Sequence, residues 1–217
     1  MAPRSRKPLS RDRILRQGLA LADESGVEAL SMRKLGDALG YEAMSLYRHV
    51  SNKDDLLGGM LDLVLAEWEL PGEDAAWDEA IRASAISVHA ALRRHRWAAQ
   101  LLLSPPGIRL GRLEYMDTLL RRLREPGFGA DTIYHAYHVL DGHIFGFTLW
   151  ESNYDMPPAD MERMAKDFMR QIPFERYPDL LEHRDRHFAE GPHRHVSAFE
   201  FGLDLILDGL RKIRVSP

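Results

Sequence analysis

The chain has 217 residues, 45% of them hydrophobic and 29% charged, which is the composition of a globular protein long enough for two compact units. It has no cysteine, which excludes disulfides, thiolate metal sites and cysteine nucleophiles, and no apolar run approaches the ~20 residues that span a membrane. The net charge of −4 argues against a protein that is coated in nucleic acid over its whole surface.

The charge is distributed unevenly along the chain. Residues 1–50 hold nine Lys and Arg against six Asp and Glu, and the remainder holds twenty against twenty-seven. A basic N-terminal part, called the head, and an acidic remainder, called the body, favour phosphate contacts at the head alone. A chance fluctuation in surface charge fits the same numbers. The N-terminus is basic but leads into no apolar stretch, so we expect no secretory signal and a cytoplasmic location.

The chain predicts helices throughout, because no stretch alternates β-branched residues as a strand would. Ser10 can cap a first helix that ends at Ser25-Gly26. Ser31 can cap a second, short helix that Gly40 terminates. We therefore expect an all-α protein.

A third helix fits residues 43–50, just after the second one ends. Two helices joined by so short a turn form a helix-turn-helix, whose second helix can enter the major groove of DNA. A helical hairpin with merely solvated polar residues fits the same spacing. The predicted core of this unit consists of Leu35, Ala38, Leu39 and Leu46.

Longer helices are predicted beyond the head. Ser51, with Asp54 three positions on, is typical of the start of a fourth helix that continues through Trp68. Four later segments keep the period of an amphipathic helix: residues 76–95, 108–124, 130–151 and 197–213. Pro158 can start a further short helix, and residues 171–195, rich in Pro, His and charged side chains, predict a long mobile connection.

The strings Arg33-Lys34-Leu35, Leu39-Gly40, Leu46-Tyr47, His49-Val50 and Asn52-Lys53 stand out in the head, together with Leu56-Leu57 and, earlier, Ser25-Gly26-Val27-Glu28. On these residues the chain closely resembles the tetracycline-repressor (TetR) family of transcriptional regulators. The resemblance implies an N-terminal helix-turn-helix head of three helices over residues 1–55. It also implies a larger helical domain over residues 56–217 that binds an effector and dimerises.

The resemblance also assigns the contacts to operator double-stranded DNA. The residues implied are Arg33, Ala43, Met44, Ser45, Tyr47, Arg48, His49 and Lys53. Ala43 and Met44 stand at base-reading positions, but they can only pack on a thymine methyl group, which leaves the operator sequence open. A basic N-terminal segment would either touch phosphates as a flexible arm or be disordered without a role: Arg4, Arg6, Lys7, Arg11 and Arg13.

The C-terminal segment from Phe199 to Leu210 has the Phe-x-Phe-Gly-Leu spacing of the dimerisation helix in the tetracycline-repressor branch. The resemblance implies a homodimer in which this helix pairs with residues 130–151 in a four-helix bundle between two subunits. An apolar helix of this kind can equally belong to an internal core.

The family's effector pocket implies an apolar, aromatic lining here. The candidates are Ser84, Val88, Leu102, Tyr115, Thr118, Tyr137, His138, Phe145 and Trp150. Such a lining suits a small hydrophobic or aromatic effector that releases the repressor from its operator, although ordinary core has the same composition. Tetracycline repressors hold their magnesium–drug complex with a histidine and an asparagine, and the nearest positions here carry Leu102 and Ser84. We therefore expect neither that complex nor any cofactor.

Two other functions fit parts of the sequence. A metal-responsive sensor could use His183, His187, His193 and His195, or the histidines His135, His138 and His143 of one predicted helix. A ligand-binding helical module with little DNA-binding role is the other. No Gly-rich phosphate loop, Gly-x-Ser-x-Gly or His-Glu-x-x-His motif occurs, so we expect no enzyme and no membrane partner.

Overall fold

In the computed structural model, residues 8–104, 109–152, 158–182 and 197–213 are described. These ranges are helical and contain no strand, which confirms the predicted fold class. No helix among them is both long and apolar enough to cross a membrane. The helices are α1 (Arg11–Ser25), α2 (Met32–Leu39), α3 (Ala43–Leu46), α4 (Lys53–Leu65), α5 (Trp77–Arg94), α6 (Arg96–Leu103), α7 (Leu110–Arg124), α8 (Ala130–Ser152), α9 (Pro158–Gln171) and α10 (Ala198–Lys212).

The serine caps predicted for the first two helices are present. Ser10 Oγ accepts a hydrogen bond from the backbone N–H of Arg13 at 3.3 Å, and Ser31 Oγ accepts one from Lys34 at 3.2 Å. Each bond satisfies an N–H that the helix itself leaves without a partner. Gly40 ends α2 with a φ of 75°, in the left-handed region that favours glycine.

Close packing between α2 and the following turn sets the direction of α3. A Cβ at Gly36 would lie 2.7 Å from the carbonyl oxygen of Tyr41, so only glycine lets the turn pass this close. Ala38 is exposed, and its prediction as core is wrong because so short a helix buries only a narrow stripe. Three leucines form the predicted core of the head and are buried: Leu35, Leu39 and Leu46.

α3 is shorter than the predicted helix over residues 43–50. It ends at Leu46, and the chain continues as a turn in which the His49 N–H donates to the Leu46 carbonyl at 2.9 Å. A bond over three residues tightens the backbone relative to an α-helix. The residues from Tyr47 to His49 therefore lie on a turn rather than on a continuous helix.

α4 begins one residue later than predicted. Its N-cap is Asn52, whose Oδ1 accepts from the Asp55 N–H at 2.8 Å, whereas the backbone N–H of Ser51 donates to the Asp55 carboxylate at 2.7 Å. The helix ends at Leu65, so Trp68 lies beyond it. Trp68 nevertheless is buried and points its ring into the body of the protein.

The body is built around α8, which packs against α5, α6, α7 and α10. α7 and α8 match the predicted helices over 108–124 and 130–151 within two residues at each end. α5 matches the predicted 76–95 segment, but α6 follows directly after His95, whose φ of −116° and ψ of 62° interrupt the helix. The sequence gives no sign of this break, because neither glycine nor proline stands there.

The C-terminal part combines the predicted last helix with a partly helical connection. In the 171–195 segment, Phe174–Arg176 form a 3₁₀ turn and residues 178–182 are helical, while 183–195 lie outside the described residues. α10 is capped by Ser197, whose Oγ accepts from the Glu200 N–H at 3.0 Å. Its buried face consists of Phe199, Leu203, Leu207 and Leu210.

Candidate nucleic-acid interface and ligand cavity

The side chains predicted to contact DNA lie on α2, on α3, on the turn after α3 and at the start of α4, and none of them is fully buried. Met44 is 73% exposed and Tyr47 is 43% exposed. The charged members Arg33, Arg48 and Lys53 are exposed, and the remaining members Ala43, Ser45 and His49 are half-buried. This surface offers basic and hydroxyl groups for phosphates, and the Met44 thioether for an apolar contact with a base.

An ion pair fixes this surface to α1. Arg11 Nη2 lies 2.5 Å from Asp55 Oδ1, and Arg11 Nη1 donates to the His49 carbonyl at 2.9 Å. The hydrogen bonds from Arg11 and from the Ser51 backbone N–H lower the pKa of Asp55 to about 2. The carboxylate is therefore charged at neutral pH, and the turn after α3 is bonded to two different helices.

The ion pair also corrects the prediction of a basic N-terminal arm. Arg11 and Arg13 belong to α1, and the Arg13 guanidinium lies 5.9 Å from the ring centroid of Tyr41. A partner 44 residues away cannot be read from local spacing, so the sequence predicts for Arg11 only an arm that touches phosphates or a disordered arm. Arg4, Arg6 and Lys7 lie outside the described residues.

A cavity of about 620 Å³ lies between the end of α4, the segment that follows it and the start of α7. Its wall includes Asp62, Leu65, Trp68, Arg109 and Tyr115. The Arg109 Nε donates to Asp62 Oδ1 at 2.8 Å across the cavity mouth between α4 and the start of α7. The volume lies in the range of drug-sized ligand sites.

The predicted ligand-binding residues fall into two groups. Seven of them are buried in the body: Ser84, Val88, Leu102, Tyr115, Thr118, Tyr137 and Phe145. Tyr115 lines the cavity, and burial raises the pKa of its hydroxyl above the ordinary range, so the group is neutral. Ser84 Oγ donates to the Glu69 carbonyl at 2.5 Å.

His138 and Trp150 do not lie with the other seven. Trp150 is 55% exposed, and His138 is exposed with its Nδ1 2.7 Å from the Tyr134 carbonyl. In the single chain they lie apart from the buried candidates, because both stand off the inward stripe of α8, and their role as ligand contacts stays a prediction. Two further residues of the cavity wall are not among the ligand contacts predicted from the sequence. Trp68 fits the apolar pattern of the predicted fourth helix and was therefore expected only as part of it, and Arg109 belongs to no apolar pattern.

An exposed apolar face runs along α8 and α10. Its large side chains are exposed by 43–61%: Tyr134, Val139, Trp150, Phe201, Leu205 and Ile213. A groove of about 480 Å³ separates the two helices on this side and is lined by Val139, Leu205 and Ile206. Ile206 is half-buried, while Leu207 belongs to the buried face of α10. So large an apolar surface is typical of an interface between subunits.

The histidines provide no metal site in the part of the chain that is described. No group of three or more His, Asp or Glu side chains there could hold a metal ion. His143 Nε2 lies 2.9 Å from the Phe199 carbonyl, and its ring stacks on the Phe199 ring. The four histidines of the proposed sensor segment, His183, His187, His193 and His195, lie outside the described residues.

Two family models match the chain in succession. The model described as "Bacterial regulatory proteins, tetR family" matches residues 14–60, and the model described as "Tetracyclin repressor-like, C-terminal domain" matches residues 70–214. Together they span the head, with its helix-turn-helix, and nearly all of the body.

Individual relatives agree with these matches. The HTH-type transcriptional repressor DrrR1 of Streptomyces coeruleorubidus is 32% identical over 222 residues, which covers 95% of this chain and 79% of that protein. A possible TetR family transcriptional regulator from Streptomyces coelicolor A3(2) has a similar fold, with a TM-score of 0.75, 30% identity and coverage of 94% and 100% of the two chains. ActR of Streptomyces coelicolor, solved in complex with actinorhodin, has a TM-score of 0.67 at 28% identity over 94% of this chain and 98% of its own.

Proposed function

The chain belongs to the TetR family of bacterial regulatory proteins, and we propose from this membership that it is a homodimeric repressor whose head holds operator DNA until an aromatic effector occupies its body. It is a ligand-responsive DNA-binding regulator, as its relatives are. Those relatives are transcriptional regulators, which supports a role without catalysis. Operator binding requires access to chromosomal DNA, so we propose a cytoplasmic location.

The observation that carries this function is the geometry of the head. Gly36 lets the turn at Tyr41 pack against α2, and α3 and the turn after it then present Met44 and Tyr47 to solvent. A methionine exposed on this short helix and a tyrosine exposed on the turn after it suit contact with DNA bases and backbone. We propose that the eight residues predicted from the sequence form this contact.

We propose a DNA-binding domain over residues 1–55 and a ligand-binding and dimerisation domain over 56–217, joined through α4. α4 contacts the head, because Leu56 and Met60 pack on Gly18 of α1. It also contacts the cavity, since Leu65 lies against Gly111 of α7. One rigid helix therefore belongs to both units.

This shared helix supports a mechanism of release. A Cβ at Gly58 would lie 2.7 Å from Arg109, so the Arg109 side chain rests directly on α4 while it pairs with Asp62. A ligand that fills the cavity and favours a different spacing of α4 and α7 would tilt α4 and, with it, the head. Effector and operator would then weaken each other's binding by the same factor.

Two subunits are needed to place two heads one turn of DNA apart. The exposed apolar face of α8 and α10 supports a dimer formed through these helices, as the family resemblance implies. The effector that we propose is aromatic and hydrophobic, and the similar protein ActR has been solved in complex with a small molecule, actinorhodin. Leu102 and Ser84 offer no pair of metal ligands, which argues against a magnesium–drug complex.

The function is tested by fluorescence anisotropy with DNA from upstream of the protein's own coding region. We expect tight, sequence-dependent binding whose affinity falls steeply with salt. Arg33→Ala and Tyr47→Ala should each weaken binding by about tenfold, whereas Arg124→Ala, an exposed arginine on α7, should not. Equal binding of scrambled DNA, or unchanged affinity in both head variants, would contradict the assignment.

A further inference from the structure

Three aromatic rings surround the guanidinium of Arg112 inside the body. Its central carbon lies 4.6 Å from the ring centroid of Phe145 and 5.7 Å from those of Trp68 and Tyr115. Trp68 and Tyr115 meet edge to face, with centroids 5.1 Å apart. Arg112 Nη2 donates to Asp141 of α8, so the positive charge has a counter-ion on one side only. We call these residues the Arg112 cage.

Two donors in the Arg112 cage lack an acceptor. Trp68 Nε1 and Arg112 Nη1 are both buried, and neither has a hydrogen-bond partner among the described residues. Trp68 is only 7% exposed, and the side chain of Arg112 is 13% exposed. Buried N–H groups are nearly always paired, because an unpaired one has lost its water without compensation. Two such donors on one cluster of rings are available to an oxygen acceptor on a ligand.

The Arg112 cage adjoins the ligand cavity. Trp68 and Tyr115 belong both to the cage and to the wall of the 620 Å³ space. The cavity wall carries no net positive charge, because it contains two carboxylates, Asp62 and Glu114, and one guanidinium, Arg109. The charge of Arg112 is offset by Asp141. The local charge therefore favours a neutral acceptor over a carboxylate.

We propose that the Arg112 cage is the polar anchor of the effector site and that it selects a planar aromatic compound carrying a neutral carbonyl oxygen. The oxygen accepts from Trp68 Nε1 and Arg112 Nη1, and the rings of the ligand pack against Trp68, Tyr115 and Phe145. This inference rests on the proposed function, since it names the chemistry of the effector. The donors set the preference for an oxygen, while the apolar wall sets only the preference for a ring.

Calorimetric titration of the full chain with 1,4-naphthoquinone, naphthalene and 1-naphthoate tests the proposal. The three share a two-ring frame and differ in carrying carbonyl oxygens, no oxygen, or a carboxylate. The absence of cysteine removes the thiols with which a quinone would react. We expect the quinone to bind about tenfold or more tightly than naphthalene. A quinone that binds no more tightly than naphthalene, or less tightly than 1-naphthoate, would overturn the proposal.

The donor is tested by Trp68→Phe, which keeps an aromatic ring and removes the N–H. This variant should lose most of the preference for the quinone while binding naphthalene as before. Trp77→Phe is the matched control, because Trp77 packs on Phe128 outside the cage. Arg112→Lys, which moves the second donor, should reduce the same preference if Trp68→Phe is too unstable to titrate. An unchanged preference in the variants means that water occupies the donors and overturns the proposal.

Operator affinity is measured separately and without ligand. If the wild type showed no sequence-dependent DNA binding, the proposed function would be contradicted. A quinone preference that depends on Trp68 would still establish the chemistry of the cavity.

Discussion

Asp23 of α1 and His95 between α5 and α6 form a partly buried contact between the head and the body. His95 Nδ1 lies 2.9 Å from Asp23 Oδ1, and its Nε2 lies 3.0 Å from Glu67 Oε1. The indole N–H of Trp97 also donates to Asp23, at 2.8 Å. Both ring nitrogens of His95, which is 5% exposed, therefore face carboxylates. The contact bonds α1 to the junction between α5 and α6.

Replacing His95 by alanine should destabilise the protein by about 1–3 kcal/mol, because it removes a buried ring and its bonds to Asp23 and Glu67, while Trp97 and Arg94 still contact these two carboxylates. Urea unfolding followed by circular dichroism measures this difference. His138→Ala is the control, since that ring is exposed and bonds only to a backbone carbonyl of its own helix. Equal loss in the two variants would contradict a structural role for the Asp23–His95 contact.

Arg11 should matter for DNA binding although it is not among the eight residues predicted to contact the operator. Arg11→Ala removes the bonds to Asp55 and to the His49 carbonyl, so the turn that carries Tyr47 is no longer fixed to α1. We expect operator affinity to fall by about fivefold to tenfold in an anisotropy titration. Arg16→Ala is the matched control on the same helix, because Arg16 pairs only with Asp12 one turn away. If Arg16→Ala lost as much operator affinity as Arg11→Ala, the loss would reflect the removal of a positive charge and not the bonds to Asp55 and His49.

The Arg11–Asp55 ion pair predicts that the free energy of unfolding decreases at low pH. The pKa of Asp55 is lowered to about 2, so in the folded protein this carboxyl releases its proton at a lower pH than in the unfolded chain. The contribution of Asp55 to the free energy of unfolding is therefore complete above about pH 4 and is lost as the pH falls toward 2. The unfolding free energies of the wild type and of Asp55→Asn should differ above pH 4 and converge below it. A difference that stayed constant down to pH 2 would argue against the lowered pKa.

Local sequence signals predicted the head more accurately than they predicted the sites. Ser10, Ser31 and Gly40 act within one helical turn of their own position, so their roles can be read from spacing. The partner of Arg11 lies 44 residues away, and the partner of His95 lies 72 residues away. Such pairs depend on how helices pack, which no periodicity in a single helix encodes.

The cavity illustrates the same limit. Aromatic residues on α7 and α8 were expected to line it, and the burial of Tyr115 and Phe145 agrees with an inward position. Trp68 and Arg112 were not singled out, because an arginine among rings is recognised only when α4, α7 and α8 are packed together. His138 and Trp150 were included since aromatic composition does not tell an inner face from an outer one.

Met44 should recognise a thymine methyl group. Its side chain is 73% exposed at a base-reading position, and a thioether can make only an apolar contact there. Replacing thymines of the operator by uracil, one at a time, removes single methyl groups. At one position per half-site the wild type should lose about threefold to tenfold in affinity, whereas Met44→Ala should be insensitive to that same replacement. An equal loss in the wild type and in Met44→Ala at that position would show that Met44 does not read this methyl group.

The apolar face of α8 and α10 should hold the dimer together. Phe201→Glu and Leu205→Glu each place a charge where the wild type exposes a large apolar side chain, at 61% and 59% exposure. Burying an unpaired carboxylate between two subunits is costly, so we expect both variants to sediment as monomers. Leu113→Glu is the control, because that leucine is 47% exposed on α7, away from the face.

Loss of the dimer should in turn weaken operator binding by about 100-fold, because a monomer engages only one half-site. The helical content of both variants should equal that of the wild type, since Phe201 and Leu205 lie outside the buried stripe of α10. Dimeric Phe201→Glu and Leu205→Glu proteins would place the subunit interface on another surface. Monomers that bind the operator as tightly as the wild type would mean that one head is sufficient. The proposal that two subunits bind two half-sites would then be wrong.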